Sequence, residues 1–398
     1  MSIEIEAALR IAFREAGQDV TPRPDLADRV RAATRHRRRR LAIACSLGVA
    51  VIVSGGGYAA VALGPGQHRP PAGVTGRHGG PRTLVRIPAG AGVQALAVAG
   101  RDLYVTTDYA GDPPYALSAY DRVTGGLTGR VRIPSMPAAL RTGPGGSVWL
   151  SFYPDQNGGP SGTWLLNADL SRHSSYRLGA FDLLPTGPDT ALLSTTQYHL
   201  TELRMPPPGA AGHAAARADP SGAVNGRFAV VGLTAIDGHV AARVINGAGL
   251  HSHLVIAGKP QVTYGGGNSS VVGYVIAEDR GIWATTSSST GQNNGPLVRL
   301  GPSLRVSTPH AVRASPILRQ SEQVWSHGST VWVASAAAGH PLVCFSYRDR
   351  MGALLTVRVH GQPAALAAAG DTVYVSFMTG VTDATSDIRA YAVPAACR

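Results

Sequence analysis

Few residues in this sequence have the type and spacing to do chemistry. There are three cysteines, at 45, 344 and 397. Cys45 lies inside an apolar run, whereas Cys344 and Cys397 form a disulfide candidate if their part of the chain meets an oxidising compartment. The alternative is two separate thiols. His251 and His253 are two residues apart and share one face of an expected strand, so the pair has the geometry to begin a metal site. No third ligand accompanies them, and the thirteen histidines are otherwise scattered. The sequence has no G-x-S-x-G, H-E-x-x-H, C-x-x-C or phosphate-loop motif. It therefore assigns no catalytic, cofactor-binding or metal-ligating set and implies no cofactor.

The elements that would position any site fall into four segments. The basic run Arg35-His36-Arg37-Arg38-Arg39-Arg40 is followed at once by 23 uncharged residues, LAIACSLGVAVIVSGGGYAAVAL, at 41–63. As a helix this stretch spans roughly 34 Å, enough to cross a bilayer. Arginines directly before a span hold that end in the cytoplasm. The expectation is an inside N-terminus, a transmembrane helix at 41–63, and everything after Leu63 outside. A cleaved signal peptide is the rival, since Gly55-Gly56-Gly57 interrupts the run and Ala60-Val61-Ala62 fits a cleavage site. The 40 residues ahead of the run are long for such a signal. A buried core helix is the other rival, but a soluble helix rarely runs 23 residues without a charge. The net charge of +12 does not point to nucleic acid, because its densest cluster is explained by topology. Only Lys259 among the 36 basic residues is lysine, a bias that fits a GC-rich coding sequence.

Residues 1–40 hold two short amphipathic helices. Ile5, Leu9 and Phe13 recur at helical spacing and form a candidate partner-binding face. Two such helices bury little on their own. They are either a solvated leader or a docking segment for a cytoplasmic protein. This layout of short stub, arginine run, single span and outer domain resembles one common in actinobacteria, where some members look like anti-sigma factors. It departs from the zinc-binding anti-sigma type, since residues 1–40 contain His36 and no cysteine.

Residues 64–82 are Pro- and Gly-rich and read as a flexible linker. From residue 83 onward a pattern of turn, apolar, aromatic, apolar and Ser/Thr recurs. It reads GRDLYVTT (100–107), GGSVWLSF (145–152), DRGIWATT (279–286), GSTVWVAS (328–335) and GDTVYVSF (370–377). DTALLSTT (189–196) and GHVAARVI (238–245) are weaker copies. The intervals between Tyr104, Trp149 and Leu192, and between Trp283, Trp332 and Tyr374, are 45, 43, 49 and 42 residues. A period near 45 residues, built from short strands and turns, signifies an all-β β-propeller. Seven four-stranded blades are expected. The last would lack its fourth strand, and VRIP at 85–88, repeated as VRIP at 131–134, would supply it from the N-terminal end. The aromatics are expected to be core. The second-strand segments TVYVSF and DLYVTT resemble the superfamily of YVTN-repeat and quinoprotein-like propellers, which implies fold but no activity.

The combined expectation is a single-pass membrane protein whose extracytoplasmic propeller (83–398) binds or senses an unknown ligand, such as a small molecule or a cell-wall component. It would relay to a cytoplasmic protein through residues 1–40. The alternatives are a propeller enzyme (hydrolase, lyase or quinoprotein-like), or a cell-wall scaffold. The insertions at 205–222 and 264–273 are expected as protruding loops.

Overall fold

The computed structural model describes residues 82–86, 92–108, 115–153, 162–195, 200–206, 214–218, 228–236, 239–246, 252–265, 269–276, 281–288, 295–327, 329–335, 337, 339, 341–346, 355–357, 359, 362–378 and 387–397. The expectations for Ile5, Leu9 and Phe13, for Arg35, Arg37, Arg38, Arg39 and Arg40, and for the span at 41–63 lie outside that set. Among the described residues no helix is long and apolar enough to cross a membrane.

The described chain is built from antiparallel sheets laid out in sequence order. β1 (Arg82–Val85) comes first. The first blade is β2 (Gly92–Ala99), β3 (Asp102–Asp108), β4 (Tyr115–Asp121) and β5 (Leu127–Ile133). The second is β6 (Pro137–Thr142), β7 (Val148–Phe152), β8 (Thr163–Leu166) and β9 (Arg172–Tyr176). The third is β10 (Asp182–Pro185), β11 (Thr190–Ser194), β12 (Leu200–Arg204) and β13 (Ala215–Ala218). The fourth is β14 (Phe228–Ile236), β15 (His239–Asn246), β16 (Ser252–Ile256) and β17 (Lys259–Gly265). A three-stranded sheet follows: β18 (Ser269–Ile276), β19 (Ile282–Ser288) and β20 (Leu297–Leu300). The next blade is β21 (Ser321–His327), β22 (Thr330–Ser335), β23 (Leu342–Ser346) and β24 (Leu355–Val357). The closing blade is β25 (Gln362–Ala369), β26 (Thr372–Met378) and β27 (Ile388–Ala392), with β1 as its outermost strand.

The expectation of seven four-stranded blades is thus corrected: six blades are complete, and the β18–β20 sheet has three strands among the described residues. The cause is local. After β20 the chain turns at Gly301, whose N–H bonds the Arg305 carbonyl, and Leu304 takes a positive φ of 57°. It touches the edge of β20 again at the bridge Leu300–Val306 and through the Ser307 N–H to Arg299 carbonyl and Arg299 N–H to Thr308 Oγ1 bonds, without forming a strand. Pro309 then opens a short helix, α1 (His310–Ala314). Val312 of α1 and Leu318 beyond it pack with Trp283 and with Phe345 of the next blade, so this segment is held by seam core and not by a continued ladder.

The N-terminal closure takes the expected form with a shifted boundary. The strand is RTLV at 82–85, so only Val85 of the first VRIP belongs to it. The second VRIP does sit on the fourth strand of its blade, where Ile133 is fully buried. The insertion at 205–222 is also more than a loop, because it carries the outer strand β13. That at 264–273 spans the end of β17 and the start of β18.

Second strands such as β7 and β22 are buried at every position. Each is covered on both faces by neighbouring blades, which is why the motif reads as a continuous apolar run and not as an alternation. Tyr104, Trp149, Trp283 and Trp332 are fully enclosed, and Tyr374 is 2% exposed. The Tyr104 hydroxyl donates to the Ala168 carbonyl of the second blade, 3.0 Å away. Burial, with the Asp102 and Asp169 charges adding to it, pushes the Tyr104 phenol up to about 12. These aromatics are seam core. The outer strand β5 alternates instead, with Arg130 and Arg132 exposed. Charges there discourage edge-to-edge pairing with another sheet.

Candidate functional site

The first strands of the sheets neighbour one another in ring order, β2 beside both β6 and β25, so they surround the centre. A repeated irregularity marks one end of this ring. The ladder slips between Val93 and Ala95, Pro137 and Ala139, Val230 and Gly232, Val271 and Gly273, Ser321 and Gln323, and Pro363 and Ala365. Each slip is a β-bulge at the start of a first strand. In the third blade the Phe181 N–H bonds the Ser194 carbonyl beside the Asp182–Ser194 pair, which repeats the arrangement.

The Ser/Thr that closes the sequence motif faces these bulges. Ser376 Oγ accepts the Ala365 N–H at 3.0 Å and donates to the Ala365 carbonyl at 3.4 Å. Ser194 Oγ accepts the Asp182 N–H at 2.7 Å and donates to its carbonyl at 3.0 Å. Ser151 and Thr285 donate across a seam, to the carbonyls of Ala180 and Glu322. A bulge frees backbone groups inside a dry seam, and a hydroxyl two atoms from the backbone satisfies them. The polar end of the motif is therefore a clamp for the inner ring. Three blades depart from it. In the first, Thr106 Oγ1 opposite Ala95 is buried with no hydrogen-bond partner among the described residues; the other two differ in residue type. Arg243 faces Gly232, and Gln323 faces Ala334, so the larger side chain stands on opposite strands in the two cases.

The densest polar cluster lies in this ring and carries an ion pair that no sequence motif announces. Asp182 is fully buried on β10. Its Oδ2 accepts Arg141 Nη2 of β6 at 2.9 Å and the Leu233 N–H of β14 at 2.9 Å. Its Oδ1 accepts Arg141 Nη2 at 3.1 Å, Arg141 Nε at 3.3 Å and the Leu183 N–H at 2.8 Å. One carboxylate thus ties three consecutive inner strands. Its lone pairs are engaged, which suits it to holding blades in place and not to proton transfer. The one signal in the sequence was an Asp at the register position where the first, second and closing blades have Ala95, Ala139 and Ala365.

Cys344 on β23 and Cys397 beyond β27 are joined in a disulfide, with both residues fully buried. His253 is half-buried, and burial lowers its pKa below the ordinary histidine value. Its companion His251 lies outside the described residues. Among the described residues no group of three or more His, Cys, Asp or Glu side chains is placed to hold a metal.

The seam between the closing and first blades is open to solvent. A cavity of about 460 Å³ there is lined by Arg122, Val123, Asp371, Thr372, Tyr374 and Tyr391. Beside it, Asp121 organises a turn. Its Oδ1 accepts the N–H groups of Thr124 (2.8 Å) and Val123 (2.9 Å), and Arg101 bonds its Oδ2. Gly125 in this turn has φ 75°, and a Cβ there would stand 2.0 Å from the Leu84 carbonyl of β1, so the close approach requires glycine. The Thr124 N–H contributes most to lowering the Asp121 carboxyl to about 2, aided by Arg101 and Val123. A depressed carboxylate contributes stability that is present above its unfolded value near 4 and lost as pH falls through the folded value. Asp121→Asn is expected to reduce stability at pH 7 and to flatten its pH dependence between about pH 4 and 2. Urea midpoints measured across that window check this, and an unchanged slope counts against it.

The fold is that of a β-propeller. The Cps50 (Swd1) β-propeller domain of Myceliophteria thermophila aligns at a TM-score of 0.50 with 10% identity, covering 76% of this chain and all of that one. A chain of the Mitotic Checkpoint Complex aligns at 0.50 with 12% identity, covering 75% of this chain and 90% of that one. BamB from Moraxella catarrhalis aligns at 0.45 with 12% identity over 75% and 85%. At these identities the likeness is one of fold alone. No protein-family model matches the sequence, and neither does any curated protein.

Proposed function

We propose that the protein is a membrane-anchored, non-enzymatic binding propeller. It is held outside the cytoplasm by residues 41–63, with residues 1–40 facing a cytoplasmic protein partner. The observation that carries the outer location is the buried Cys344–Cys397 disulfide, because such bonds persist in oxidising compartments. The arginine run before the apolar stretch supports the same orientation. The inner ring favours binding over catalysis. Its Asp182 carboxylate and its Ser194 and Ser376 hydroxyls are spent on backbone and seam bonds, which leaves recognition to the loops and seams around it. One propeller of similar fold belongs to a multiprotein complex, a role in keeping with protein binding.

Intact mass and membrane partition of a C-terminally tagged chain test this reading. Full-length mass in the membrane fraction, with the tag accessible from outside, is the expected result. A soluble product beginning near Gly64, or a tag reached only from the cytoplasm, overturns the anchor. Leu9→Asp with Phe13→Asp is expected to abolish capture of the partner by the stub.

A further inference from the structure

We infer that the edge of β27 is an acceptor site for an extended apolar peptide, occupied in cis by a releasable strand, β1. The first and last described strands, β1 and β27, are held in the closing blade very differently. β27 pairs with β26 through five partner pairs, from Thr372–Ala392 to Ser376–Ile388. Beyond it the Val393 N–H bonds the Asp371 carbonyl, and Cys397 is covalently joined to Cys344 of the neighbouring blade. Thr330 also donates to the Cys397 carbonyl. β1 has only three partner pairs with β27, and the ladder is broken between Thr83 and Val85. No covalent bond other than the chain itself fastens it. Its side-chain hold is Leu84 and Val85, which pack with Val93, Leu103 and Val105 of the first blade and with Tyr374 and Ile388 of the closing blade.

Opening of the ring therefore begins with β1, while β25–β27 stay in place. What its departure uncovers is a strand edge beside an apolar slot. That is the chemistry of β-strand addition, in which main-chain bonds supply affinity and apolar pockets select side chains. The fitting ligand is an extended segment with adjacent apolar residues in the place of Leu84 and Val85 and polar or basic residues flanking them. β1 keeps the site filled because its link to β2 is only residues 86–91, which gives it an effective concentration on the order of millimolar.

The test uses the full chain in detergent on a Cys45→Ser background and a labelled peptide of residues 82–88, RTLVRIP, with a scrambled control. Leu84→Asp should bind the peptide at least tenfold more tightly than the unmodified chain. The unmodified chain should take it up slowly. A Thr83→Cys/Arg389→Cys pair, oxidised to lock β1 onto β27, should take up none. A folded Leu84→Asp chain that fails to bind, or equal uptake by the locked chain, overturns the proposal. If Leu84→Asp does not fold, the unmodified and locked chains decide at high peptide concentration, and absence of uptake by both overturns it.

Discussion

Replacing Cys344 and Cys397 together with alanine is expected to destabilise the propeller by about 4 kcal/mol. The two positions are 53 residues apart, so the cross-link removes a long loop's worth of freedom from the unfolded chain. Alanine, unlike serine, leaves no hydroxyl in a site where both cysteines are fully buried. The surroundings are apolar, with Trp332, Leu342, Leu366, Val373 and Tyr391 in the same cluster. The lost sulfur contacts add a smaller cavity cost. The expected signature is a lowered denaturant midpoint under non-reducing conditions, with the unmodified chain converging on the variant once reduced. A shift smaller than about 0.5 kcal/mol would mean that native packing alone secures the C-terminus, and the unequal fastening of β1 and β27 would lose its basis.

Asp182→Ala is expected to cost about 3 kcal/mol. It leaves the Leu233 and Leu183 N–H groups without their carboxylate and strips Arg141 of its counter-charge. Arg141→Ala should cost less, about 1 kcal/mol, for two reasons. The carboxylate keeps its two backbone donors, and the guanidinium side chain is 39% exposed, so solvent screens part of the attraction. Asp182→Asn should fall between them, because an amide oxygen still accepts one backbone N–H but the charge is gone. The order Ala, then Asn, then the arginine variant is the content of the prediction, measured by urea unfolding. If Arg141→Ala matches Asp182→Ala, the ion pair and not the backbone clamp dominates.

Strand positions and closure were legible because both obey local rules. The turn glycines, the apolar–aromatic–apolar runs and the missing fourth strand recur on a period that a ring of hairpins imposes. The recurring motif at 100–107, 145–152, 328–335 and 370–377 falls on the second strands β3, β7, β22 and β26. The three-stranded sheet was not legible. After it the chain enters Pro309 and a five-residue helix, and Val312 of that helix and Leu318 beyond it reach a core 29 or more residues away in sequence, at Trp283. The meaning of the motif's Ser/Thr was not legible either. It exists only opposite a bulge on another strand, and a bulge leaves no residue signature when its members are as different as Gln94, Ala138 and Glu322.

By itself the sequence determined the all-β repeat, the aromatic seams and the return of the N-terminal strand, since period and hydropathy are properties of neighbours along the chain. It also set the basic run, the apolar stretch and the stub face on which the proposed topology rests. The tertiary structure alone decided that Cys344 and Cys397 meet. It alone decided that Asp182 joins β6, β10 and β14, and that Gly125 must make room for the Leu84 carbonyl. Those contacts join residues 41 to 53 positions apart, about one repeat, and only the packing of neighbouring blades brings them together.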